Sequence, residues 1–426
     1  MIEKLYSAFL QSSGVSTDTR TIQKENIWFA LKGPNFNANK FAQQALDKGA
    51  GLAVIDDAEY VIGDSTFLVE DVLETLQKLA NHHRKQLNIP FLGITGSNGK
   101  TTTKELIRDV LARKFKVHAT QGNFNNHIGV PLTLLQIDES IEFAVVEMGA
   151  NAQNEIKLLC EIAEPDFGLI TNIGKAHLEG FGGIEGVFKG KTEMYDFLAN
   201  SGGKAFVNTN NQRLVAKLND LNIESKSYPN AGNDLEASLV SELPQLSISS
   251  NLGDFTTMIT GGYNFENICS ALCIGQYFGV EAEAAIDAVS NYDPDNNRSQ
   301  IISKGTNSII LDAYNANPSS MSEAIKSFDQ READKKILII GDMLELGEEA
   351  EHEHQVIGEL TATLNFDQVH LCGPLMKSAA DKNPKAHYWM EKKELAEFLD
   401  KESTSNTTIL IKGSRGMSLE TLLETL

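Results

Sequence analysis

The sequence predicts an α/β protein of three units in a row. A small α/β unit is expected over residues 1–83, a central parallel-sheet unit built on a phosphate-binding loop (P-loop) over 84–302, and a Rossmann-like unit over 303–426. Three observations carry that prediction. The chain has 426 residues, more than one hydrophobic core usually serves, and 41% of them are hydrophobic. Short apolar runs alternate with helix-like segments along most of it, the pattern of a mostly parallel sheet covered by helices. That alternation starts afresh at about residue 303, which calls for a second doubly wound unit.

In the first unit Ile27-Trp-Phe-Ala-Leu31 and Leu52-Ala-Val-Ile55 read as strands, with a helix near 39–48. The second opens on Phe91-Leu-Gly-Ile-Thr-Gly-Ser-Asn-Gly-Lys-Thr-Thr-Thr103, an apolar strand, a glycine-bearing loop and a helix. The helix follows from Leu106, Ile107, Val110 and Leu111, which recur on one face. Further strands are expected near Val117 and over 141–148 and 167–173. The stretch 235–260 alternates differently and predicts an antiparallel appendage turning at Gly253-Asp254. The polar run Asp293-Pro-Asp-Asn-Asn297 marks a hinge. In the third unit Ser308-Ile-Ile-Leu311, Lys336-Ile-Leu-Ile-Ile340, Gln368-Val-His-Leu371 and Thr408-Ile-Leu-Ile411 read as strands.

A net charge of −21 argues against a nucleic-acid partner, because a polyanion needs a basic surface. No apolar run approaches the roughly 18 residues of a membrane span, and the N-terminus lacks the pattern of a signal peptide. A cytoplasmic protein without a membrane partner is expected, and nothing demands more than a monomer. Cys160, Cys269, Cys273 and Cys372 form no Cys-x-x-Cys pair and read as buried free thiols. His352-Glu-His354 lacks metal-site spacing and reads as a solvated surface.

The loop after Phe91 is where phosphate is expected. Gly96 and Gly99 allow a tight turn close to an anion, so that loop N–H groups and the positive end of the next helix surround it. Lys100 then brings charge to the β- and γ-phosphates, and the Thr101 hydroxyl reaches a magnesium ion. The general pattern wants glycine where Ile94 stands, and the bland alternative is an ordinary turn between strand and helix. Ligands of an open parallel sheet bind beyond the carboxyl ends of its strands. Two more groups emerge there: Glu147, suited to magnesium, and His177, which by itself is a weak signal.

Together Thr95-Gly-Ser-Asn-Gly-Lys-Thr-Thr102, Gly122-Asn-Phe-Asn-Asn-His-Ile-Gly-Val-Pro131, Glu147-Met-Gly-Ala150, Asp312-Ala-Tyr-Asn-Ala-Asn-Pro318, Gly341-Asp-Met-Leu-Glu-Leu-Gly347 and Lys412-Gly-Ser-Arg415 resemble the ATP-dependent Mur ligases of peptidoglycan synthesis. The resemblance runs along essentially the whole chain, and the last three motifs point to the dipeptide-adding member. It explains Ile94, since these ligases use a shortened loop. It implies a ligase that joins D-alanyl-D-alanine to UDP-N-acetylmuramoyl-tripeptide through an acyl phosphate, with ATP and two magnesium ions. By resemblance the first unit holds the UDP-sugar, the second ATP and the third the amine substrate.

Residue by residue, the resemblance implies that Thr95, Gly96, Ser97, Asn98, Gly99, Lys100, Thr101 and Thr102 bind ATP. Asn267 and Asp312 are implied as adenosine contacts and Arg298 as a phosphate contact. Thr19 and Arg20 match a uridine-contacting segment, and Asn125 and Asn126 a muramoyl contact. Lys412, Ser414 and Arg415 follow a strand of the third unit, positioned for the dipeptide carboxylate or the phosphates. Thr101 and Glu147 are implied to hold one magnesium ion, and His177 with a carbamylated Lys191 the other. Read from its own residues, Lys191 is a surface lysine. Tyr263, where histidine is frequent, and the stretch 37–40 depart from the family pattern. The competing readings are a sibling, either the third-residue-adding Mur ligase or a folylpolyglutamate synthase, and a P-loop switch without ligase chemistry. Asn317 argues against the siblings, which carry histidine there.

Overall fold

Period-two alternation decides the first sheet. In the computed structural model, which describes residues 1–426 except Pro244, Asp295, Asn296 and Ser403, the strands Val15–Ser16, Ile27–Phe29, Leu52–Ile55 and Thr66–Leu68 lie parallel in that order. Ile27, Phe29 and Val54 face one core with Leu5, Val72 and Leu76 from the flanking helices Ile2–Gln11 and Val72–Gln86. Trp28, Ala53 and Ile55 face the other side, against Ala42 and Ala45 of the helix Ala42–Asp47.

The central sheet has six parallel strands in the order Ser225–Tyr228, Lys204–Asn208, Phe167–Ile170, Phe91–Thr95, Phe143–Glu147, Val117–Ala119. The phosphate-loop strand is thus central, between the strands that deliver Glu147 and the loop bearing His177. Its residues Leu92 and Ile94 pack with Leu106, Ile107 and Val110 of the helix Lys100–Leu111, while Phe91 faces the opposite core. A three-stranded antiparallel sheet, Ala237–Ser241, Ser247–Ser250 and Gly253–Thr256, follows as expected. Its turn, at Asn251-Leu252, lies two residues earlier than predicted, because Gly253 already pairs with Ser250.

The third sheet orders Gln300–Lys304, Asn307–Asp312, Thr407–Lys412, Lys335–Gly341, Gln368–Cys372 and His387–Trp389. The first of these is antiparallel and the rest are parallel. The two edge strands, Gln300–Lys304 and His387–Trp389, were not foreseen: both are largely half-exposed and carry no continuous apolar run. Of the expected hinge run, Asp295 and Asn296 lie outside the described residues. All four cysteines are buried free thiols. Among the described residues no helix is long and apolar enough to cross a membrane.

Candidate active site

Two glycines shape the loop. Gly96 has φ +142° and a Cβ there would stand 2.0 Å from Thr171 Oγ1, whereas Gly99 has φ +76° and a Cβ would stand 2.5 Å from Asn267 Oδ1. No other residue fits either position without displacing the neighbouring strand end or helix. Lys100 Nζ donates to the carbonyls of Gly96 at 2.8 Å and Ser97 at 3.1 Å. Burial pulls its ammonium down to about 8, Glu147 opposes that fall and Arg298 adds to it. An anion delivered to the loop therefore meets a cation with no carboxylate bonded to it.

Glu147 is 1% exposed at the end of its strand. Its carboxylate accepts from Thr101 Oγ1 at 3.0 and 3.2 Å and from Asn125 Nδ2 at 2.8 Å, and Lys104 Nζ lies 3.7 Å away. Thr101 and Glu147 thus converge as hard oxygen donors, the set a divalent cation such as magnesium prefers. No cluster of three or more His, Cys, Asp and Glu side chains suited to a metal exists among the described residues. A cation held here would complete its shell with water and phosphate oxygens, as magnesium does. Lys104 had no signal in the sequence, since it sits one helical turn past Lys100 without matching the loop pattern.

Lys191 is not a surface lysine: it is 1% exposed in the helix Ile184–Ser201. Its Nζ donates to the Ala150 carbonyl at 3.0 Å and lies 5.0 Å from the Phe181 ring centroid. Desolvation, reinforced by the Lys100 charge, drives its pKa well below the usual lysine range. A neutral buried amine is the form that adds to carbon dioxide, so the site suits a carbamate. His177, at φ +52°, has Nδ1 2.5 Å from Glu345 Oε2 of the third unit, close but not aligned as a hydrogen bond.

Lys100, Thr101, Asn125, Glu147 and His177 border one cavity of about 500 Å³ between the second and third units, whereas Lys191 is not among its lining residues. Of the residues expected from sequence, 97–102, Asn125, Asn126, Glu147, His177, Asn267, Arg298, Asp312 and Lys412 line it. Thr95 and Gly96 lie just behind, in the strand end and the turn. Asn267 is held by Thr103 Oγ1 at 3.0 Å and donates to Asn264 Oδ1 at 2.9 Å. Asn126 accepts from Gly129 N at 2.8 Å, ordering the start of the next helix.

Thr19, Arg20, Ser414 and Arg415 fall outside the cavity lining. Arg20 is exposed, paired with Asp18 at 2.6 Å, and Thr19 accepts from Lys48 Nζ through its carbonyl; neither lines the cavity. Lys412 Nζ is engaged by Asp312 Oδ2 at 2.5 Å, and Ser414 is buried, accepting from Leu344 N at 3.0 Å. Arg415 reaches Glu420 at 2.9 Å. The structure also joins residues that sequence reasoning left apart. Asn317 Nδ2 donates to Asn98 Oδ1 at 2.6 Å while its Oδ1 caps the helix Pro318–Asp329. In the supposed surface motif, Glu353 and His354 are buried, and Glu353 pairs with Lys175 at 2.5 Å across the unit boundary.

A phosphate loop, an acid beside it and a third unit closing over both define an ATP-dependent ligase, and comparison agrees. Residues 94–275 match the Mur ligase middle domain and residues 297–415 the Mur ligase, glutamate ligase domain. The chain belongs to the Mur ligase family, and it is an ATP-dependent amide-forming enzyme. A Bacillus subtilis relative, UDP-N-acetylmuramoyl-tripeptide--D-alanyl-D-alanine ligase, is 36% identical over 97% of this chain and 93% of its own length. A crystal structure of MurF from Acinetobacter baumannii aligns with TM-score 0.87 at 28% identity, covering 98% of this chain and 97% of that one. MurF ligase from Thermotoga maritima in complex with ADP aligns with TM-score 0.86 at 26% identity over 98% and 97%.

Proposed function

We infer that this chain joins D-alanyl-D-alanine to the peptide carboxylate of UDP-N-acetylmuramoyl-tripeptide, using ATP and forming the pentapeptide precursor of peptidoglycan in the cytoplasm. The observation that carries the reading is the match to a ligase of that activity over 97% of this chain.

A carboxylate is a poor electrophile, so it is first made an acyl phosphate by attack on the γ-phosphorus of ATP, with ADP leaving. Lys100 and Arg298 face the oxygens over which charge spreads in that transfer. The N–H groups from Gly99 to Thr101 orient the phosphates at the helix start, while those of Ser97 and Asn98 are held by Asn172. Thr101 and Glu147 would hold one magnesium ion, and His177 with a carbamylated Lys191 a second; such ions would supply positive charge to the transferring and attacking oxygens. Asn125 and Lys104 keep the Glu147 carboxylate aimed at the loop.

The dipeptide amine then attacks the acyl carbon, the tetrahedral intermediate expels phosphate, and the amine proton is lost to solvent or product. The Lys175–Glu353 and Asn98–Asn317 contacts hold the third unit against the loop, which excludes water from the acyl phosphate. ADP release measured with UDP-N-acetylmuramoyl-tripeptide, with and without D-alanyl-D-alanine, tests the reading. Dipeptide-dependent release with a product heavier by the dipeptide residue mass is expected. Release that ignores the dipeptide, or no release at all, refutes it.

A further inference from the structure

The two ends of one hairpin and a segment about a hundred residues further on meet at one edge of the third sheet. Tyr314 follows the strand Asn307–Asp312, Arg415 follows the neighbouring parallel strand Thr407–Lys412, and Arg298 precedes the antiparallel strand Gln300–Lys304. Their side chains form a stack. The Arg298 guanidinium carbon lies 3.8 Å from the Tyr314 ring centroid and that of Arg415 lies 5.7 Å from it, both within cation–π range.

The ring has no evident packing duty to explain that arrangement. Tyr314 is half-buried and belongs to none of the hydrophobic clusters formed by the described residues. It lines the cavity together with Arg298 and Lys100. Arg298 Nε is buried without a hydrogen-bond partner, so the aromatic face is what steadies that guanidinium from the protein side. Arg415 is anchored at one edge by Glu420 at 2.9 Å and is otherwise exposed beside the ring.

We propose that Tyr314 is a positioning residue whose ring holds two guanidinium groups at once, Arg298 toward the phosphates and Arg415 toward the carboxylate of the incoming amine substrate. The inference rests on the functional reading given above and adds a physical link between its two half-sites. A guanidinium laid on an aromatic face keeps its fork of N–H donors in one plane, ready for a bidentate anion. A ring shared by two such groups ties the geometry of one anion site to that of the other.

The test compares Tyr314→Phe, which keeps the ring, with Tyr314→Leu, which removes it. Tyr314→Met is a second ring deletion should the leucine variant fail to fold. Steady-state kinetics are read for both substrates, alongside calorimetric affinity for ATP and thermal unfolding. Removing the ring is expected to raise KM for ATP and KM for D-alanyl-D-alanine each by about fivefold to thirtyfold. Tyr314→Phe is expected to stay within about twofold of the wild type, and all variants to melt together. Equal losses in Tyr314→Phe and Tyr314→Leu overturn the proposal, since the hydroxyl would then be the active part. A rise confined to one substrate, or a KM change that tracks a lower melting temperature, also overturns it. A wild-type chain that fails to use the dipeptide sinks the functional reading and the Arg415 half with it. The ATP affinity of Tyr314→Leu still decides the Arg298 half.

Discussion

Lys191 and Lys412 are both buried, 1% and 2% exposed, and they differ in what receives their protons. Lys412, in the third unit, meets the Asp312 carboxylate at 2.5 Å; Lys191, in the second, meets the Ala150 carbonyl at 3.0 Å and pairs with no carboxylate among the described residues. A carboxylate balances a buried ammonium, and a carbonyl does not. The first arrangement forms a charge-balanced seam in the cavity wall. The second leaves an amine that burial pushes toward its neutral, nucleophilic form. Lys100 belongs with Lys191, since its hydrogen bonds go to two loop carbonyls. Within the second unit Lys104 has the Glu147 carboxylate 3.7 Å away, so the unbalanced cations are Lys100 and Lys191, and that is where anion chemistry is expected.

The largest effect that could break this contrast is at Lys100. Lys100→Ala should lower kcat for ADP release by about 1,000-fold or more, the scale of losing a preorganised charge at the transferring group. Normal turnover would dismiss the phosphate-loop role. Lys412→Met should act on stability instead. Leaving Asp312, whose side chain is 14% exposed, without its partner is expected to cost about 3 kcal/mol by denaturant unfolding. Replacing both residues by Lys412→Met with Asp312→Leu should recover most of that loss. If the single variant is as stable as the wild type, the seam is not an ion pair in solution.

Lys191→Ala should reverse that signature, with kcat down by about 100-fold, stability nearly unchanged, and partial rescue of activity by short carboxylic acids that replace the carbamate oxygens. Full activity, or inactivity beyond rescue, counts against the carbamate. The third unit also carries a pH liability that the loop does not share. His370 is fully buried and its pKa is depressed to about 4, chiefly by desolvation and then by His387. An unfolded histidine titrates near 6.5, so between about 6.5 and 4 the unfolded chain binds the extra proton and the native one does not. The stability owed to neutral His370 is therefore complete above about 6.5 and lost as pH falls toward 4, by about 3 kcal/mol. Urea unfolding of His370→Leu across that range should show a flatter pH dependence than the wild type. The smallest change is expected from Asn317→Ser, which keeps the helix cap but cannot reach Asn98: KM for ATP should rise only about threefold to tenfold, one lost hydrogen bond.

Much of the architecture was legible because its signals are local. The strand, loop and helix over Phe91–Leu111 follow from residues adjacent in sequence, and so does the period-two packing of Ile27 to Ala30. The edge strands Gln300–Lys304 and His387–Trp389 were not legible, because a half-exposed strand lacks a continuous apolar run. In the site, Glu147 and His177 were found from their places beyond strand ends. Lys104 and Tyr314 were not singled out, since nothing in their local pattern marks a residue that acts by leaning on another. His352-Glu-His354 misled for the opposite reason: acidic neighbours suggest solvent, yet Lys175 from another unit covers Glu353.

By itself the sequence determined the order of the apolar strands and their helices, the glycine turn where phosphate is expected and the family, because periodicity and glycine conformation act within a few residues. Only the tertiary structure decided which buried charges are balanced. Thr101 meets Glu147 across 46 residues, Lys412 meets Asp312 across 100, and Asn317 meets Asn98 across 219. Electrostatic balance is set by distance in space, and no local pattern encodes it.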